Sequence, residues 1–234
     1  MKAVILAAGI GSRMMPLTKD QPKPMVRLCG KPILEHILNS LPNEIDEILI
    51  VVGYKKESIQ NYFGSSFRSI KITYVVQESP AGTADALLLC RPFFTEDERF
   101  LVLNADDIYD KESLERCLVH PRALLVSEVV DPRAFGVVEL RDGVVTKLVE
   151  KPEHPASNFV APGAYVLDTH LFEYEPIPAK NGERFFTTML SQMLKDYPVH
   201  AQTVGVWINC TSPADIEKAE KMLTSSSINK TNYA

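Results

Sequence analysis

The sequence predicts an α/β fold of three layers, with a mixed, mostly parallel central sheet covered by helices on both faces. Two observations predict it. In the first half, short runs rich in Val, Ile and Leu alternate with amphipathic stretches and are joined by short connections, as in strands buried on both faces and linked by crossover helices. In the second half the strands follow one another without intervening helices, with Arg141-Asp142-Gly143 as a hairpin turn, which adds antiparallel pairs to the sheet.

The first strand is the apolar run 3–8, which empties into a loop holding Gly9, Gly11, Ser12 and Arg13, then Lys19 and Lys23 among three prolines. Lys31-Pro32 opens a helix, because Ile33, Leu34, Ile37, Leu38 and Leu41 recur at helical spacing. A strand at 47–53, a helix at 55–63 and a strand at 70–76 follow. The turn Gln77-Glu78-Ser79-Pro80-Ala81-Gly82-Thr83 then starts another helix. Residues 99–103 form a strand that runs straight into Asn104-Ala105-Asp106-Asp107, and 111–117 a helix. Strands are predicted at 124–129, 135–140, 144–150 and 160–167, a helix at 182–194, a strand at 199–206, and a last helix after Pro213. In parallel sheets ligands bind beyond the carboxyl ends of the strands, where the Gly9 loop and the Gln77 turn both fall.

With 234 residues and 45% hydrophobic content the chain can bury one sizeable core. No linker or repeat divides it, so one domain is predicted over 1–224, in two halves at about 1–120 and 121–224, followed by a flexible polar tail at 225–234. The formal net charge of −5 argues against a nucleic-acid binder. Residues 1–31 nevertheless carry Lys2, Arg13, Lys19, Lys23, Arg27 and Lys31 against a single acid, Asp20, a concentration that suits a small polyanion. Cys29, Cys90, Cys117 and Cys210 form no Cys-x-x-Cys pair, and no signal or membrane-length segment is present, so reduced thiols, a cytoplasmic location and no membrane partner are expected. A homo-oligomer is left open.

The Gly9 loop is a phosphate site in outline. Glycines let backbone N–H groups approach an anion, Arg13 adds a planar fork of donors and Lys23 a point charge. It is neither a dinucleotide fingerprint, since the third glycine position is Met14 and Pro16 follows, nor a nucleoside-triphosphate P-loop, since the chain has no Gly-Lys-Ser/Thr. Asp106, an acid at the carboxyl end of a buried strand facing this loop, is the expected place for a Mg²⁺ ligand. Asp107 is read as a neighbour that caps the turn.

Leu6 to Met25, LAAGIGSRMMPLTKDQPKPM, resembles throughout the opening signature of the sugar-1-phosphate nucleotidyltransferases, the NDP-sugar pyrophosphorylases. The resemblance covers about residues 2–222 and is similar in pattern to glucose-1-phosphate thymidylyl- and uridylyltransferases. It implies a Rossmann-like three-layer sandwich, the nucleotide-diphospho-sugar transferase fold. It also implies Mg²⁺-dependent transfer between a nucleoside triphosphate and a sugar 1-phosphate, with a nucleotide-binding first half and a sugar-binding second half. By the same resemblance Leu6, Ala8, Gly9, Gly11, Ser12, Gln77, Gly82 and Thr83 bind the nucleotide, and Arg13, Lys23 and Asp106 are catalytic. The Gln77 amide matches a pyrimidine's adjacent carbonyl and N–H, and relatives specific for GTP often have Glu there, which favours UTP or dTTP.

The FGVVE run at 135–139 and Val149-Glu150-Lys151-Pro152 resemble the family's sugar half. There Gly136 lies against the sugar, Glu150 grips its hydroxyls, Lys151 meets the sugar phosphate, Asn158 supplies an amide and Gly163 lets the substrate approach. Asn209 stands where many relatives have Asp as the second metal ligand, Ala105 where they have Gly before the first, and Thr211 where they have Gly. Three other readings remain. A phosphocholine cytidylyltransferase of the same fold would need an aromatic box, and a related glycosyltransferase an Asp-x-Asp motif. A non-catalytic nucleotide-sugar-binding relative would have little use for Arg13, Lys23 and Asp106 together.

Overall fold

The computed structural model describes residues 1–225. In chain order the strands are β1 (Lys2–Ala7), β2 (Arg27–Leu28), β3 (Lys31–Pro32), β4 (Glu47–Val52), β5 (Ser66–Phe67), β6 (Ile70–Val76), β7 (Arg99–Asn104), β8 (Asp107–Tyr109), β9 (Ala123–Glu128), β10 (Gly136–Arg141), β11 (Val144–Glu150), β12 (Phe159–Ala161), β13 (Ala164–Asp168), β14 (His200–Thr203) and β15 (Trp207–Asn209). The helices are α1 (Ile33–Asn39), α2 (Lys56–Phe63), α3 (Thr83–Leu88), α4 (Lys111–Leu118), α5 (Phe186–Met193) and α6 (Pro213–Ser225). The predicted tail lies outside the described residues, apart from Ser225 at the end of α6. Among the described residues no helix is long and apolar enough to cross a membrane.

Eleven strands form one sheet in the order β12-β10-β11-β14-β9-β13-β7-β1-β4-β6-β5. Pairing is parallel from β7 through β1 and β4 to β6 and becomes mostly antiparallel from β13 outward, as the two halves of the sequence predict. One exception is β14, which runs parallel to β9. Side chains alternate along each strand, so β1 sends Ala3, Ile5 and Ala7 to one layer, with α1, α2, α4 and α6, and Val4 to the other, with α3 and α5. Both faces are thus covered, which is why these strands read as continuous apolar runs.

Three predicted elements are shorter than expected. The strand at 160–167 is broken at Pro162-Gly163 into β12 and β13: Pro162 has no N–H for a ladder, and Gly163 has a φ of +116°. The strand at 199–206 ends at Thr203, and beyond Gly205 the chain pairs with β8 as β15 instead. The helix at 182–194 starts only at Phe186, because 179–184 forms a tight loop closed by Ala179 N–H to Glu183 O (2.9 Å) and Gly182 N–H to Ala179 O (2.8 Å). The predicted Asp142-Gly143 turn is present, with positive φ at both residues.

That 179–184 loop ties the two halves together across the carboxyl ends of the strands. Arg184 N–H donates to Ala81 O and Ala84 N–H to Arg184 O, both at 3.0 Å, and the Arg184 guanidinium donates to Asp85 Oδ1 at 2.7 Å. Gly82 has a φ of +122°, and a Cβ there would lie 2.2 Å from Arg184 O. Gly82→Ala should therefore lower the melting temperature by about 5 °C or more, since strain of about 2 kcal/mol at such a position converts at roughly 2–4 °C per kcal/mol in a chain of this size. A calorimetric trace that overlays the native one would mean that the two segments are not held this tightly.

Candidate active site

A cleft of about 900 Å³ opens at the carboxyl ends of β1, β7 and β6 and is shared by both halves. Its first wall is the loop after β1. Parallel pairing in the register Leu6↔Asn104 sets this loop beside the end of β7, and Ala105 N–H still donates to Leu6 O at 3.3 Å, so the methyl group of Ala105 has not pushed the backbone off β1. Leu6, Ala8, Gly9, Gly11, Ser12 and Arg13 all line the cleft. Thr18 Oγ1 braces the loop by donating to Gly11 O at 2.9 Å. Arg13 is exposed and makes no hydrogen bond or ion pair with another described residue. Buried Lys23 instead donates from Nζ to Asp106 Oδ2 at 2.6 Å.

Asp107 does not cap a turn. The cap of α4 is Asp110, whose Oδ2 accepts from Ser113 N–H at 2.9 Å. Asp107 belongs to β8, and its buried Oδ1 accepts from Trp207 Nε1 (2.7 Å) and Asn209 Nδ2 (2.9 Å), both on the partner strand β15. Burial, reinforced by the adjacent Asp106, pushes the Asp107 carboxyl well above the usual carboxylate range, against the pull of those two hydrogen bonds and of Lys23. Gln77 is buried with Nε2 donating to Gly82 O at 3.1 Å, and Thr83 Oγ1 accepts from Phe186 N–H at 3.3 Å, so Thr83 also supports the start of α5.

The second wall comes from β10, β11 and α5. Gly136 and Glu150 face each other across the β10–β11 ladder. Glu150 accepts from Thr187 Oγ1 at 2.7 Å and has Lys151 Nζ at 3.6 Å. Lys151, at a φ of +43°, lays its ammonium over the Phe185 ring, 4.1 Å from the centroid. Burial raises the Glu150 pKa, opposed by the Thr187 hydrogen bond and Lys151, while Glu183 pushes it further up.

A profile of the nucleotidyl transferase family matches residues 2–226, nearly the whole chain. The chain belongs to the nucleotidyl transferase family. Among curated relatives it is 37% identical over 236 residues to the bifunctional protein GlmU of Methanococcus maripaludis, covering 98% of this chain but 56% of that protein. It therefore spans about half the length of such GlmU relatives. It is 34% identical to the UTP–glucose-1-phosphate uridylyltransferase AglF of Haloferax volcanii, covering 95% of this chain and 96% of that one. Among solved structures, a glucose-1-phosphate thymidylyltransferase of Bacillus anthracis in complex with sucrose superposes with a TM-score of 0.84 at 28% identity over 94% of each chain. A UDP-glucose pyrophosphorylase complexed with UDP-glucose gives 0.81 at 27% identity, over 96% of this chain and 98% of that one.

In this member of the family the cleft gathers every nucleotide-binding, catalytic, sugar-binding and metal-binding residue predicted from the sequence except two. Asn158 is exposed and lies outside the cleft, where its carbonyl accepts from Val129 N–H and holds β12 against β9. Gly163 does not line the cleft either: a Cβ there would come 2.5 Å from Asn104 Nδ2, so the glycine makes room for Asn104. Asn104, with its Oδ1 buried and unpartnered, Thr187 and the 181–183 loop line the cleft and were not singled out. Asn104 directly precedes the Ala105-Asp106 pair, whereas nothing in the sequence signals that Thr187 would reach Glu150. The four cysteines are free, as expected, and burial pushes the Cys90, Cys117 and Cys210 thiols up to about 12.

A carboxyl group whose folded pKa is raised favours the folded state when protonated and loses that contribution as pH rises through the folded value. Glu150→Gln, which keeps the acceptor for Thr187 but carries no charge, should therefore gain stability relative to the native protein as pH rises from 4 to 8. Parallel melting curves across that range check the sign, and a difference that shrinks with rising pH would contradict the burial of this carboxylate.

Proposed function

We propose that the chain joins a nucleoside triphosphate, UTP or dTTP, to a sugar 1-phosphate, forming an NDP-sugar and pyrophosphate. The observation that carries this reading is a single cleft lined by Arg13, Lys23 and Asp106 from the first half and by Glu150, Thr187 and Lys151 from the second. A phosphate oxygen of the sugar 1-phosphate attacks the α-phosphorus in line, and the bond from that phosphorus to the oxygen bridging the β-phosphate breaks. No covalent intermediate with the protein is needed, so the work is positioning and charge neutralisation. The free Arg13 guanidinium stabilises the departing pyrophosphate, and Lys23, leaving Asp106, steadies the α-phosphate. Glu150 accepts from sugar hydroxyls, oriented by Thr187. With Nε2 already committed to Gly82 O, Gln77 offers its amide oxygen to the N–H of a pyrimidine.

Asp106 and Asn209 would hold Mg²⁺. Both offer hard oxygen donors and line the cleft. Two protein oxygens completed by phosphates and water is a Mg²⁺ pattern rather than that of a closed metal cage. Bound there, the cation would offset the negative charge of the reacting phosphates. The glucose 1-phosphate named in AglF and in the thymidylyltransferase is the first sugar to test. Phosphocholine fits less well, because the Phe185 face that could receive a quaternary amine already carries the Lys151 ammonium.

Pyrophosphate release across four nucleoside triphosphates and a panel of sugar 1-phosphates, with phosphocholine included, should require one member of each set and stop on addition of EDTA. Arg13→Ala should cut that release by about 10²–10³-fold with an unchanged melting temperature, because an exposed loop arginine holds no core together. Native turnover in this variant would remove Arg13 from the mechanism. Silence across the grid from a folded protein that still binds a nucleotide sugar would replace catalysis with a binding role.

A further inference from the structure

We propose that Asp107 is a positioning residue for the second metal ligand: its buried carboxylate fixes the Asn209 amide so that the amide oxygen is presented to the cation shared with Asp106. This rests on the function proposed above. The geometry is a short antiparallel ladder in which Asn209 stands directly opposite Asp107, so that both side chains leave on the same side. Asn209 Nδ2 donates to Asp107 Oδ1 at 2.9 Å, and because an amide is planar its oxygen is then turned away from Asp107. Trp207, two residues earlier, donates from Nε1 to the same oxygen at 2.7 Å and packs edge-on against Phe135, with ring centroids 5.4 Å apart. The backbone adds a third tie, since Cys210 N–H donates to Asp106 O at 2.9 Å and locks the two strands in register beside the cleft.

This arrangement explains the departure at 209. Many relatives place Asp at this point, but here an Asp would set an acceptor oxygen against Asp107 Oδ1 where the Asn209 amide now donates. Asparagine is the residue that can donate to Asp107 and still offer an oxygen. The Asp107 oxygen accepts behind the ligand, and the Asn209 amide supplies the ligand oxygen. Because that one oxygen of Asp107 also accepts from Trp207, Asp107→Asn, with its amide oxygen in that place, keeps both hydrogen bonds.

Mn²⁺ binding to the UTP complex, followed by electron paramagnetic resonance, tests this without turnover, and Trp207, the single tryptophan, reports the same oxygen by fluorescence. Asp107→Ala should weaken Mn²⁺ at least tenfold and shift the Trp207 emission, while UTP binding in EDTA stays within twofold of native. Asn209→Asp should also weaken Mn²⁺, whereas Asp107→Asn, which keeps the acceptor oxygen, should hold Mn²⁺ within twofold of native. If Asp107→Asn weakens Mn²⁺ as much as Asn209→Asp does, the proposal is wrong, and this comparison stands even if Asp107→Ala does not fold. Native Mn²⁺ affinity in Asp107→Ala would likewise overturn it. This pattern appearing in a protein that releases no pyrophosphate from any substrate pair would uphold the positioning role and sink the proposed reaction. Turnover with no dependence of Mn²⁺ affinity on Asp107 would do the reverse.

Discussion

The pairing of β7 with β1 on one side and β13 on the other is the constraint on which the cleft depends. The parallel register Leu6↔Asn104 sets the glycine loop beside Ala105 and Asp106, and the antiparallel register Ala164↔Leu103 brings the second half against the same strand end. Asn104 sits at the junction, its side chain occupying the space that Gly163 leaves open. Slipping either register by one residue would turn Phe100, Val102 and their neighbours from one buried layer into the other. Because both faces are packed, the core resists such a slip, and the position of the cleft follows from the packing of the strands.

The charges of the cleft are arranged around this frame at two depths. Asp107 is buried and Asp106 half-buried, and Lys23 is the cation that meets the more accessible of the two. Burying a carboxylate costs several kcal/mol unless hydrogen bonds compensate, and Trp207 and Asn209 supply those bonds from one strand. The other wall repeats the device with Glu150, half-buried and held by Thr187 from α5. In each case the element that donates comes from a distant part of the chain, so the electrostatics of the site can be complete only when β15 and α5 have docked.

This distinction decides what could be read from the sequence. Gly9 to Lys23 and Ala105-Asp106 were legible because each is a contiguous stretch at a strand end, where local chemistry and position coincide. Glu150 and Lys151 were legible only through the resemblance, since by themselves they pass for a surface ion pair. Asp107 was misread because its partners are about a hundred residues away, and an acid after a strand is as good a turn cap as a buried acceptor. The same reason hid Thr187. Asn158 and Gly163 went the other way: Ala161 and Pro162 of their segment line the cleft, but Asn158 is exposed and spends its carbonyl on the β9–β12 pairing, and Gly163 makes room for Asn104. Strand lengths failed where one apolar run served two sheets or two directions, as at 199–206.

The two ends of the cleft also differ in how much order a ligand must supply. Glu150 is half-buried, hydrogen-bonded and flanked by a lysine that is itself seated on Phe185, so the second wall is set before anything binds. The Gly9 loop is different: Arg13 has no partner among the described residues, Ile10 and Met15 are half exposed, and Lys23 is engaged with Asp106 rather than with the open cleft. A polyanion entering there meets an unpaired guanidinium at once, but must exchange its own charge for that of Asp106 to engage Lys23. A cation held by Asp106, as proposed, would make that exchange favourable, because it would take the place of the ammonium at the carboxylate and free Lys23 for the phosphate. On the proposed reading, cation and triphosphate therefore assist each other's binding, and the Lys23–Asp106 pair is the element through which they do so.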